Sequence, residues 1–505
     1  MPPFHQCTPA GHAVKAMVLN GLGFINQQLY LVPHFFKHKP ISRLIAPGIQ
    51  ASHLHDDTLG RALDTLYDFG VTELYCLIAA TAATRLGLTP TFSHLDTTSF
   101  HVDGRYNSAQ PPDEQVVPIT QGYSRDHRPD LNQVMLALVV EPQAGIPVLM
   151  QPLNGNSHEG KAFGQVVRDH MAQLHTTANP TSLVADSALS SAENLHKLAE
   201  TNLTWITRVP ATLREAQTVL AQAEPQTMAP LTAGYRYHVV PSSYGGVAQR
   251  WVLIYSEHRQ PQAQHTVDKQ WLKQSDQEAK GFKKLCRTAF ACEADAQQAL
   301  SRFGANLPTT FLHNSTVCPT PHYGKRGRPG PGVQPDQLVY PIAGALASRL
   351  TDRQARVDQQ SCCILATNEL DEGQLSAQAV LDGYKGQAQA ERGFRFLKDP
   401  QFLASSLYLK KPERLMALLM VMTVCLLVYA ALEYRIRTAL KEQEATFPDQ
   451  KGKRIQTPTA RWVFHYFVGI HVLYIPGQGR MILNLTDEHQ HLLQLLDKRY
   501  AWFYR

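Results

Sequence analysis

The chain has 505 residues, 44% of them apolar, with 48 basic against 42 acidic residues and a formal charge of +6. This size predicts two to four globular domains, and the mild basic excess is compatible with a polyanionic partner without identifying one. The eight cysteines show no Cys-x-x-Cys spacing, which argues against a structural zinc site or a disulfide framework and suits a reducing cytoplasm. No basic segment followed by an apolar stretch opens the chain, so we expect no signal peptide.

Residues 1–90 are predicted to form a helical domain. Asp56 and Asp57 are suited to the start of a helix that ends near Phe69, and a second helix is predicted at 73–86. Consecutive short helices before a larger core are typical of a helix-turn-helix module that binds DNA ends. They are equally typical of a structural or dimerising bundle, and both interpretations stay open.

Residues 91–210 alternate strand and helix patterns, as in an α/β core. Strands are predicted at 91–101, 133–140, 146–151, 182–186 and 203–209, and helices at 162–174 and from a capping box at Ser190. The short apolar run that ends at Asp186 is typical of a buried parallel strand. Asp186 therefore lies where a strand gives way to a helix, the usual functional edge of an α/β sheet.

Residues 211–360 interrupt this alternation and are interpreted as an insertion domain. Its strand patterns, its Lys- and Gln-rich helical stretch and its Pro/Gly-rich loop lie at 235–240, 249–255, 266–302 and 322–335. A core-like strand at 362–367 opens the second part of the core, 361–445. Residues 446–505 form a small C-terminal region with a strand pattern at 461–468 and a leucine-rich helix.

Residues 415–432 form an uncharged, mostly apolar segment. A membrane span needs about 20 such residues, so this segment is at the short limit. A helix buried on all sides in a large core is the preferred interpretation, and a membrane anchor is the alternative. We therefore expect a chain that does not use a membrane.

The helix predicted at 376–398 places polar and charged side chains on one face. They recur every three or four residues and are Tyr384, Gln387, Glu391, Arg395 and Lys398. Such a face can bind a metal ion and phosphate oxygens, and the alternative is a solvated charged face. Gly383, Gly386 and Gly393 each weaken a helix by about 1 kcal/mol relative to Ala. They indicate close approach by another part of the protein or by a nucleic-acid strand.

Basic residues concentrate in two places. Between Lys385 and Arg414 there are seven lysines or arginines against three acids. Lys325, Arg326 and Arg328 form a second concentration, in the Pro/Gly-rich loop. An extended Arg-Gly-Arg segment can lie in a narrow A·T minor groove, where the enhanced negative potential favours arginine. We predict DNA contact for these three residues.

Three carboxylates that are far apart in sequence complete the pattern: Asp96 in Leu-Asp-Thr-Thr, Asp186 in Val-Ala-Asp-Ser-Ala, and Glu391. Oxygen ligands of this kind suit Mg²⁺, and paired ions can clamp the attacking and leaving oxygens of a phosphoryl transfer. His94 and His101 flank Asp96. Hydrogen-bonded core histidines are the preferred interpretation over a role in orienting a metal ligand or water.

With these motifs, the chain resembles the DDE transposases of bacterial insertion sequences. The spacing Tyr384-x2-Gln387-x3-Glu391-x6-Lys398 follows the Tyr-x2-Arg-x3-Glu-x6-Lys signature of the IS-four-like group, with Gln387 in place of the arginine. The long gap between Asp186 and Glu391 resembles members with a β-rich insertion, and the N-terminal region resembles the IS-sixteen-thirty-four-like branch.

The resemblance implies an α/β, RNase H-like catalytic core that is interrupted by a β-rich insertion. Asp96, Asp186 and Glu391 would be the catalytic residues and would hold two Mg²⁺ or Mn²⁺ ions. Besides the basic loop, the implied DNA-binding residues are Tyr384, Gln387, Arg392, Arg395, Lys398 and Trp251. Relatives flip a base onto an aromatic residue of the insertion. Trp251 or Trp271 could serve here, with core packing as the alternative.

The resulting interpretation is a transposase that cuts and rejoins strands at the terminal inverted repeats of its element. In relatives a released 3′-hydroxyl attacks the opposite strand to give a hairpin, and later attacks target DNA. The implied partners are double-stranded DNA and further copies of the chain, as a homodimer or higher oligomer, in a bacterial cytoplasm at the nucleoid. The alternatives are an RNase H-like nuclease without strand transfer and a catalytically silent DNA-binding protein.

Overall fold

Two compact units make up the chain. The computed structural model describes residues 8–24, 29–89, 91–102, 106, 116–122, 128–157, 166, 182–201, 203–324, 330, 333–399, 409–475, 477 and 479–504. The first unit comprises Met1–Arg208, Ser242–Gln249 and Ala366–Arg505, and the second comprises Val209–Pro241 and Arg250–Leu365. The predicted DNA contacts Lys325, Arg326 and Arg328 lie outside the described residues, as does almost all of the helix predicted at 162–174.

The N-terminal part of the first unit is helical, as predicted. Its α-helices are α1 Ala10–Gly21, α2 Val32–Phe36, α3 Ile41–Leu44, α4 Asp56–Phe69 and α5 Val71–Leu86. Asp56 and Asp57 lie in the first turn of α4, where acidic side chains complement the helix dipole. Gly70 separates α4 from α5 with a φ of 98°, a conformation that residues with a Cβ rarely adopt.

Five strands form the sheet of the first unit. They are β1 Phe92–Val102, β2 Asn132–Val140, β3 Pro147–Leu153, β4 Ser182–Ala185 and β5 Thr204–Arg208, and they lie in the order β3-β2-β1-β4-β5. The β1–β2 and β2–β3 pairs are antiparallel, whereas β4 is parallel to both β1 and β5. Nearly every residue of β1 and β2 is buried, so these strands lie in the centre of the core.

Asp186 directly follows β4, at the predicted transition from strand to helix. A short 3₁₀ turn at Ser187–Leu189 comes next, and α6 spans Ala192–Ala199. The N-cap of α6 is Ser191, whose hydroxyl accepts from the Asn194 amide at 3.3 Å. The capping box predicted at Ser190 is therefore wrong by one residue.

The second unit mixes strands with long helices. Its elements are α7 Arg214–Ala221, β6 Ala229–Thr232, β7 Tyr235–Ser242, β8 Gln249–Ser256, α8 Gln260–Cys286, α9 Glu293–Ala305, β9 Thr310–Val317, β10 Thr320–His322, β11 Gln337–Val339, β12 Ile342–Ser348, α10 Leu350–Ser361 and β13 Cys362–Thr367. By the division of the chain, Ser242, Gln249 and the last two residues of β13 belong to the first unit. The strand order is β13-β8-β7-β6, with β9–β12 and β10–β11 as separate antiparallel pairs. The helical stretch predicted at 266–302 is thus two helices.

The C-terminal part of the first unit is mostly helical. Its elements are α11 Ala377–Lys385, α12 Ala388–Leu397, α13 Pro412–Glu442, β14 Phe447–Pro448, β15 Arg454–Ile455, α14 Ala460–Tyr466, β16 His471–Ile475, β17 Gly479–Leu483, α15 Asp487–Leu496 and α16 Lys498–Trp502. The strand predicted at 461–468 is wrong, because this stretch is α14. Its aromatic residues suit either structure, but the Thr459 hydroxyl caps a helix by accepting from the Trp462 amide at 3.2 Å.

The apolar segment 415–432 lies in α13, a helix of 31 residues. By length and composition α13 is the candidate membrane span among the described residues, and 67% of its most apolar 18-residue stretch is buried within the structure. It packs against α1, α4 and α5 of the same unit. This packing favours the preferred interpretation of a core helix.

Candidate active site

Asp96 lies near the middle of β1, on the sheet face that α11 and α12 cover. Side chains alternate along a strand, so Phe92, His94 and Asp96 share one face. A Cβ on Gly383 would lie 3.0 Å from Phe92 Cε1, and a Cβ on Gly386 would lie 2.5 Å from His94 Nε2. Asp96 is 9% exposed, and its Oδ1 accepts from the Thr97 amide at 2.8 Å.

Asp186 occupies the matching position on the neighbouring strand. Leu95 of β1 pairs with Ala185 of the parallel β4, so the next residues, Asp96 and Asp186, are level with each other. Adjacent strands are about 4.8 Å apart. The Asp186 carbonyl accepts from the Thr207 hydroxyl at 2.7 Å, and its Oδ1 accepts from the Ala188 amide at 2.9 Å. The turn after β4 therefore holds this carboxylate at the strand end.

The helix predicted at 376–398 is broken into α11 and α12, with Gly386 and Gln387 at the junction. Gln387 is 8% exposed. Its Nε2 donates to the Leu95 carbonyl at 3.4 Å, and its Oε1 lies 3.2 Å from His94 Nδ1. The junction is thus attached to β1 at the two residues that precede Asp96.

Glu391 is one helical turn beyond this attachment. The contacts of Gly383 with Phe92 and of Gly386 with His94 advance in the same direction along both elements, so the helices run parallel to β1. Four residues of helix rise about 6 Å, which brings Glu391 level with the Asp96 region of β1. Its side chain is exposed in the first turn of α12, where the helix dipole favours a negative charge.

The three carboxylates share one region, but their oxygens have not converged. Among the described residues, the group of three whose ligand atoms lie within 4.8 Å of one another is His55, Asp56 and Asp57, an exposed cluster at the start of α4. Carboxylates near one another repel in the absence of a cation. As a donor set, Asp96, Asp186 and Glu391 offer only oxygens, which fits Mg²⁺ or Mn²⁺.

The three glycines in α11, in α12 and at their junction lie against side chains of the protein itself, and the space beside them is not open to a nucleic acid. A Cβ at any of them would meet a side chain of the first unit at 3.2 Å or less. These side chains are Phe92 and Ile206 for Gly383, His94 for Gly386 and Leu426 for Gly393. The glycines therefore permit close packing of α11, α12 and their neighbours.

Two of the predicted DNA contacts line a cavity of about 350 Å³ beside α12. Arg392 and Arg395 are exposed there and make no ion pair with the residues that the structure describes. The cavity wall also includes Phe396 and Tyr429, whose ring centroids are 4.6 Å apart. Arg461 contributes too, but it pairs with Asp399. Cationic and aromatic groups thus occur together along this surface.

Tyr384 and Lys398 are half-buried. Tyr384 lies near the end of α11, and Lys398 is the C-cap of α12. Gln387 and Glu391 are still one helical turn apart. The predicted face is nevertheless divided, because the helix is interrupted at Gly386 between Tyr384 and these two residues. Contact of Tyr384 and Lys398 with phosphate stays a prediction.

The tryptophans of the second unit are buried. Trp251 is 1% exposed in β8. Trp271 is 4% exposed, and its Nε1 donates to the Ser348 hydroxyl at 3.1 Å. The Arg356 guanidinium lies 5.0 Å from the centroid of the Trp271 ring. These surroundings favour the core alternative over base stacking for both residues.

His94 is the residue near the carboxylates whose importance sequence reasoning undervalued. It is fully buried, and burial lowers its pKa to about 4, against the opposing effect of the Gln387 hydrogen bond. The prediction of a hydrogen-bonded core histidine is confirmed, but its partner could not be identified from the sequence. The alternation of β1 was the available signal, since it places His94 on the face of Asp96.

Comparisons with known proteins give the family. Residues 4–80 match a "Domain of unknown function (DUF4277)", and residues 90–428 match the "Transposase DDE domain". No curated protein matches the chain. A cryo-EM structure of a piggyBac transposase synaptic complex with hairpin DNA is similar over 98% of this chain and 73% of that chain, with 9% identity and a TM-score of 0.37. By the match over residues 90–428, the chain belongs to the family of transposases with a DDE domain.

Proposed function

We propose that this DNA transposase cuts and rejoins strands at the terminal inverted repeats of its own element, by phosphoryl transfer at two metal ions. The observation that carries the proposal is the arrangement of Asp96, Asp186 and Glu391. Asp96 on β1 is level with Asp186, which directly follows the parallel strand β4. Glu391 is one helical turn beyond Gln387, whose side chain is hydrogen-bonded to β1.

The five-stranded sheet supports an RNase H-like catalytic core. Three antiparallel strands are followed by two parallel ones, with Asp96 on the central strand and Asp186 at the end of its parallel neighbour. The second unit, Val209–Pro241 with Arg250–Leu365, lies in sequence between Asp186 and Glu391. We interpret it as the insertion of such a core, and it contains long helices as well as strands.

Asp96, Asp186 and Glu391 would hold the metal ions. When bound, Mg²⁺ ions lower the pKa of water and stabilise charge on the attacking and leaving oxygens. The protein itself contributes position. Strand register sets Asp96 level with Asp186, and Gln387 at the α11–α12 junction attaches the helix that carries Glu391 to β1. Phosphoryl transfer at two metal ions needs no covalent nucleophile.

Arg392 and Arg395 are suited to hold the DNA backbone. They follow Glu391 on α12, are exposed, and have no protein carboxylate as a partner among the described residues. Guanidinium groups bind phosphate oxygens through paired hydrogen bonds. Phe396 and Tyr429 line the same cavity and are half-buried against each other, with their ring centroids 4.6 Å apart. We therefore place a DNA strand along this side of α12.

The finer assignments come from the Tyr-x2-Gln-x3-Glu-x6-Lys spacing. We propose an IS-four-like transposase of a bacterium, acting at the nucleoid as a homodimer or higher oligomer. A hairpin intermediate on the flanking DNA follows the same resemblance. Supplying a pre-cleaved 3′-hydroxyl end together with target DNA separates this proposal from a nuclease without strand transfer, because only a transposase gives the joined product.

The test of the proposed function is Mg²⁺-dependent cleavage of linear DNA that carries the terminal repeats flanking the gene. We expect the wild type to cut at the repeat ends and Glu391→Gln to bind the ends without cutting. Scrambled repeats serve as the DNA control. End binding by the wild type without cleavage would contradict the proposal and favour a catalytically silent DNA-binding protein.

A further inference from the structure

Gln387 stands where the family signature has an arginine, and its surroundings differ from those of a phosphate ligand. It is 8% exposed, and both ends of its amide face β1 rather than solvent. His94, its partner, is fully buried on β1, two residues before Asp96. The Gln387 side chain therefore spans from the start of α12 to the strand that carries the first acidic residue.

The hydrogen bonds fix the orientation of both side chains. Gln387 Nε2 donates to the Leu95 carbonyl, so Oε1 is the atom that faces His94. An amide oxygen can only accept, and His94 Nδ1 must therefore carry the proton and donate. His94 Nε2 is buried, and none of the residues that the structure describes forms a hydrogen bond with it. The pair thus has one consistent arrangement of donors and acceptors.

Gly386 makes this arrangement possible. A Cβ at this position would lie 2.5 Å from His94 Nε2 and 2.7 Å from His94 Cε1, which is too close for any contact between heavy atoms of this kind. A larger residue would push α11 away from β1 or displace the imidazole. The break between α11 and α12 therefore coincides with the point of closest approach to the histidine.

We propose that His94 and Gln387, with the space left by Gly386, form a positioning pair that sets Glu391 beside Asp96 before metal or DNA binds. The inference rests on the proposed function of the three carboxylates as metal ligands. Gln387 is four residues before Glu391, and His94 is two residues before Asp96, so the hydrogen bond joins the two acidic elements next to their ligands. The role of Gln387 is then positional, and the arginine of the signature is not replaced by an equivalent phosphate contact.

The experiment compares two buried glutamines that both lie next to β1, one at the α11–α12 junction and one on β2. Gln387→Met keeps the volume of the side chain but removes both hydrogen bonds. Gln133→Met is the matched control, since Gln133 is 1% exposed and its Nε2 also donates to a main-chain carbonyl, that of Gly155 at 2.7 Å. Gln133 pairs with His101, five positions along β1 from Asp96. Its loss perturbs the same sheet at a distance from the carboxylates.

The first readout is the affinity of the DNA-free protein for Mn²⁺, measured from the electron paramagnetic resonance of the free ion. We expect Gln387→Met to lose about 10-fold or more in affinity, the range typical of residues that orient metal ligands. The control is expected to keep the wild-type affinity. Equal affinities for the wild type and Gln387→Met, or an equal loss in both variants, would overturn the proposal.

The second readout is hydrogen exchange of the α12 amides, 388–397, which needs no metal. We expect faster exchange in Gln387→Met than in the control, because α12 has lost its attachment to β1. The double variant His94→Leu with Gln387→Met restores an apolar contact, so we expect it to recover stability without recovering Mn²⁺ affinity. If the wild type bound no Mn²⁺, the proposed metal site would fail, and α12 exchange would still decide the positioning role: unchanged exchange would refute it.

Discussion

Individual residues near the carboxylates show what sequence reasoning can and cannot reach. Asp96, Asp186 and Glu391 could be proposed as ligands from local properties of the chain, namely the sequence motifs around the two aspartates and the position of Glu391 in a basic helix. The role of Gln387 could not, since it depends on a histidine 293 positions away that packs against it. Gly383, Gly386 and Gly393 were ambiguous for the same reason. The sequence indicates that something packs closely against them, but only the structure identifies the neighbouring side chains.

Replacing Gly386 by Ala tests this packing directly. The added Cβ would lie 2.5 Å from His94 Nε2, so we expect a loss of about 1–3 kcal/mol in the free energy of unfolding, typical of overpacking. Gly11→Ala in α1 is the control, since its Cβ would meet nothing within 4 Å. Urea denaturation measures both. A Gly386→Ala protein as stable as the control would contradict the close contact with His94.

Replacing Asp96 or Asp186 by Asn tests the ligand assignment. Each change keeps the size of the side chain but removes a charge that the metal ions need. We expect each variant to lose more cleavage activity than the about 10- to 100-fold typical of a residue that only orients a ligand. Binding to the terminal repeats should be retained. Near wild-type cleavage by either variant would exclude that residue as a ligand.

At the scale of elements, helices and strands with a regular hydrophobic pattern could be predicted, whereas the points at which a helix is interrupted could not. The strand positions of the core and the helix at Asp56–Phe69 follow from local patterns. The stretch 376–398, predicted to be a single helix, forms the two helices α11 and α12. Gln387 at their junction contacts β1, and a tertiary contact of this kind leaves no local pattern in the sequence. The stretch 461–468 has a strand pattern in the sequence. Thr459 instead caps a helix whose Val463 packs in a cluster with Phe447.

The proposed contact between α12 and DNA can be tested by removing its two exposed arginines. Replacing Arg392 and Arg395 together by Ala removes two exposed cations that have no described protein partner. We expect affinity to fall about equally for repeat and unrelated DNA, and the salt dependence of binding to weaken by about one unit of slope per lost phosphate contact. Fluorescence anisotropy at several salt concentrations measures both quantities.

Arg499→Ala is the matched control for this double variant. Arg499 is also exposed, but it pairs with Asp497 in the C-terminal region. We expect its removal to leave the salt slope near that of the wild type. An unchanged slope in the Arg392 and Arg395 variant would show that the DNA strand does not follow this side of α12.

At the scale of the first unit, the N-terminal helices are joined to the apolar helix α13. Arg414 donates from Nε and Nη2 to the two carboxylate oxygens of Asp64 in α4, both at 2.7 Å. Gly60 leaves room for this guanidinium, because a Cβ there would lie 2.6 Å from Arg414 Nη1. The apolar segment and the preceding helical region were predictable separately, but their packing depends on residues about 350 positions apart.

This ion pair gives stability a defined pH dependence. The hydrogen bonds from Arg414 hold the pKa of Asp64 below its ordinary 3.8. The pair therefore stabilises the fold fully above that ordinary value and loses its contribution as the pH falls through the lower, folded-state pKa. We expect Asp64→Asn to be less stable at pH 7 by about 1 kcal/mol or less, given the partial exposure, with the difference vanishing in strong acid. A difference in stability that grew on acidification would contradict this assignment.

The convergence of Asp96, Asp186 and Glu391 on one pair of metal ions is the central claim. Anomalous scattering from a crystal of the protein with terminal-repeat DNA and Mn²⁺ tests it most directly. We expect two peaks about 3.5–4 Å apart among these three carboxylates. Peaks that lie only at the exposed His55, Asp56 and Asp57 cluster, or a metal pair that any of the three carboxylates does not contact, would contradict it.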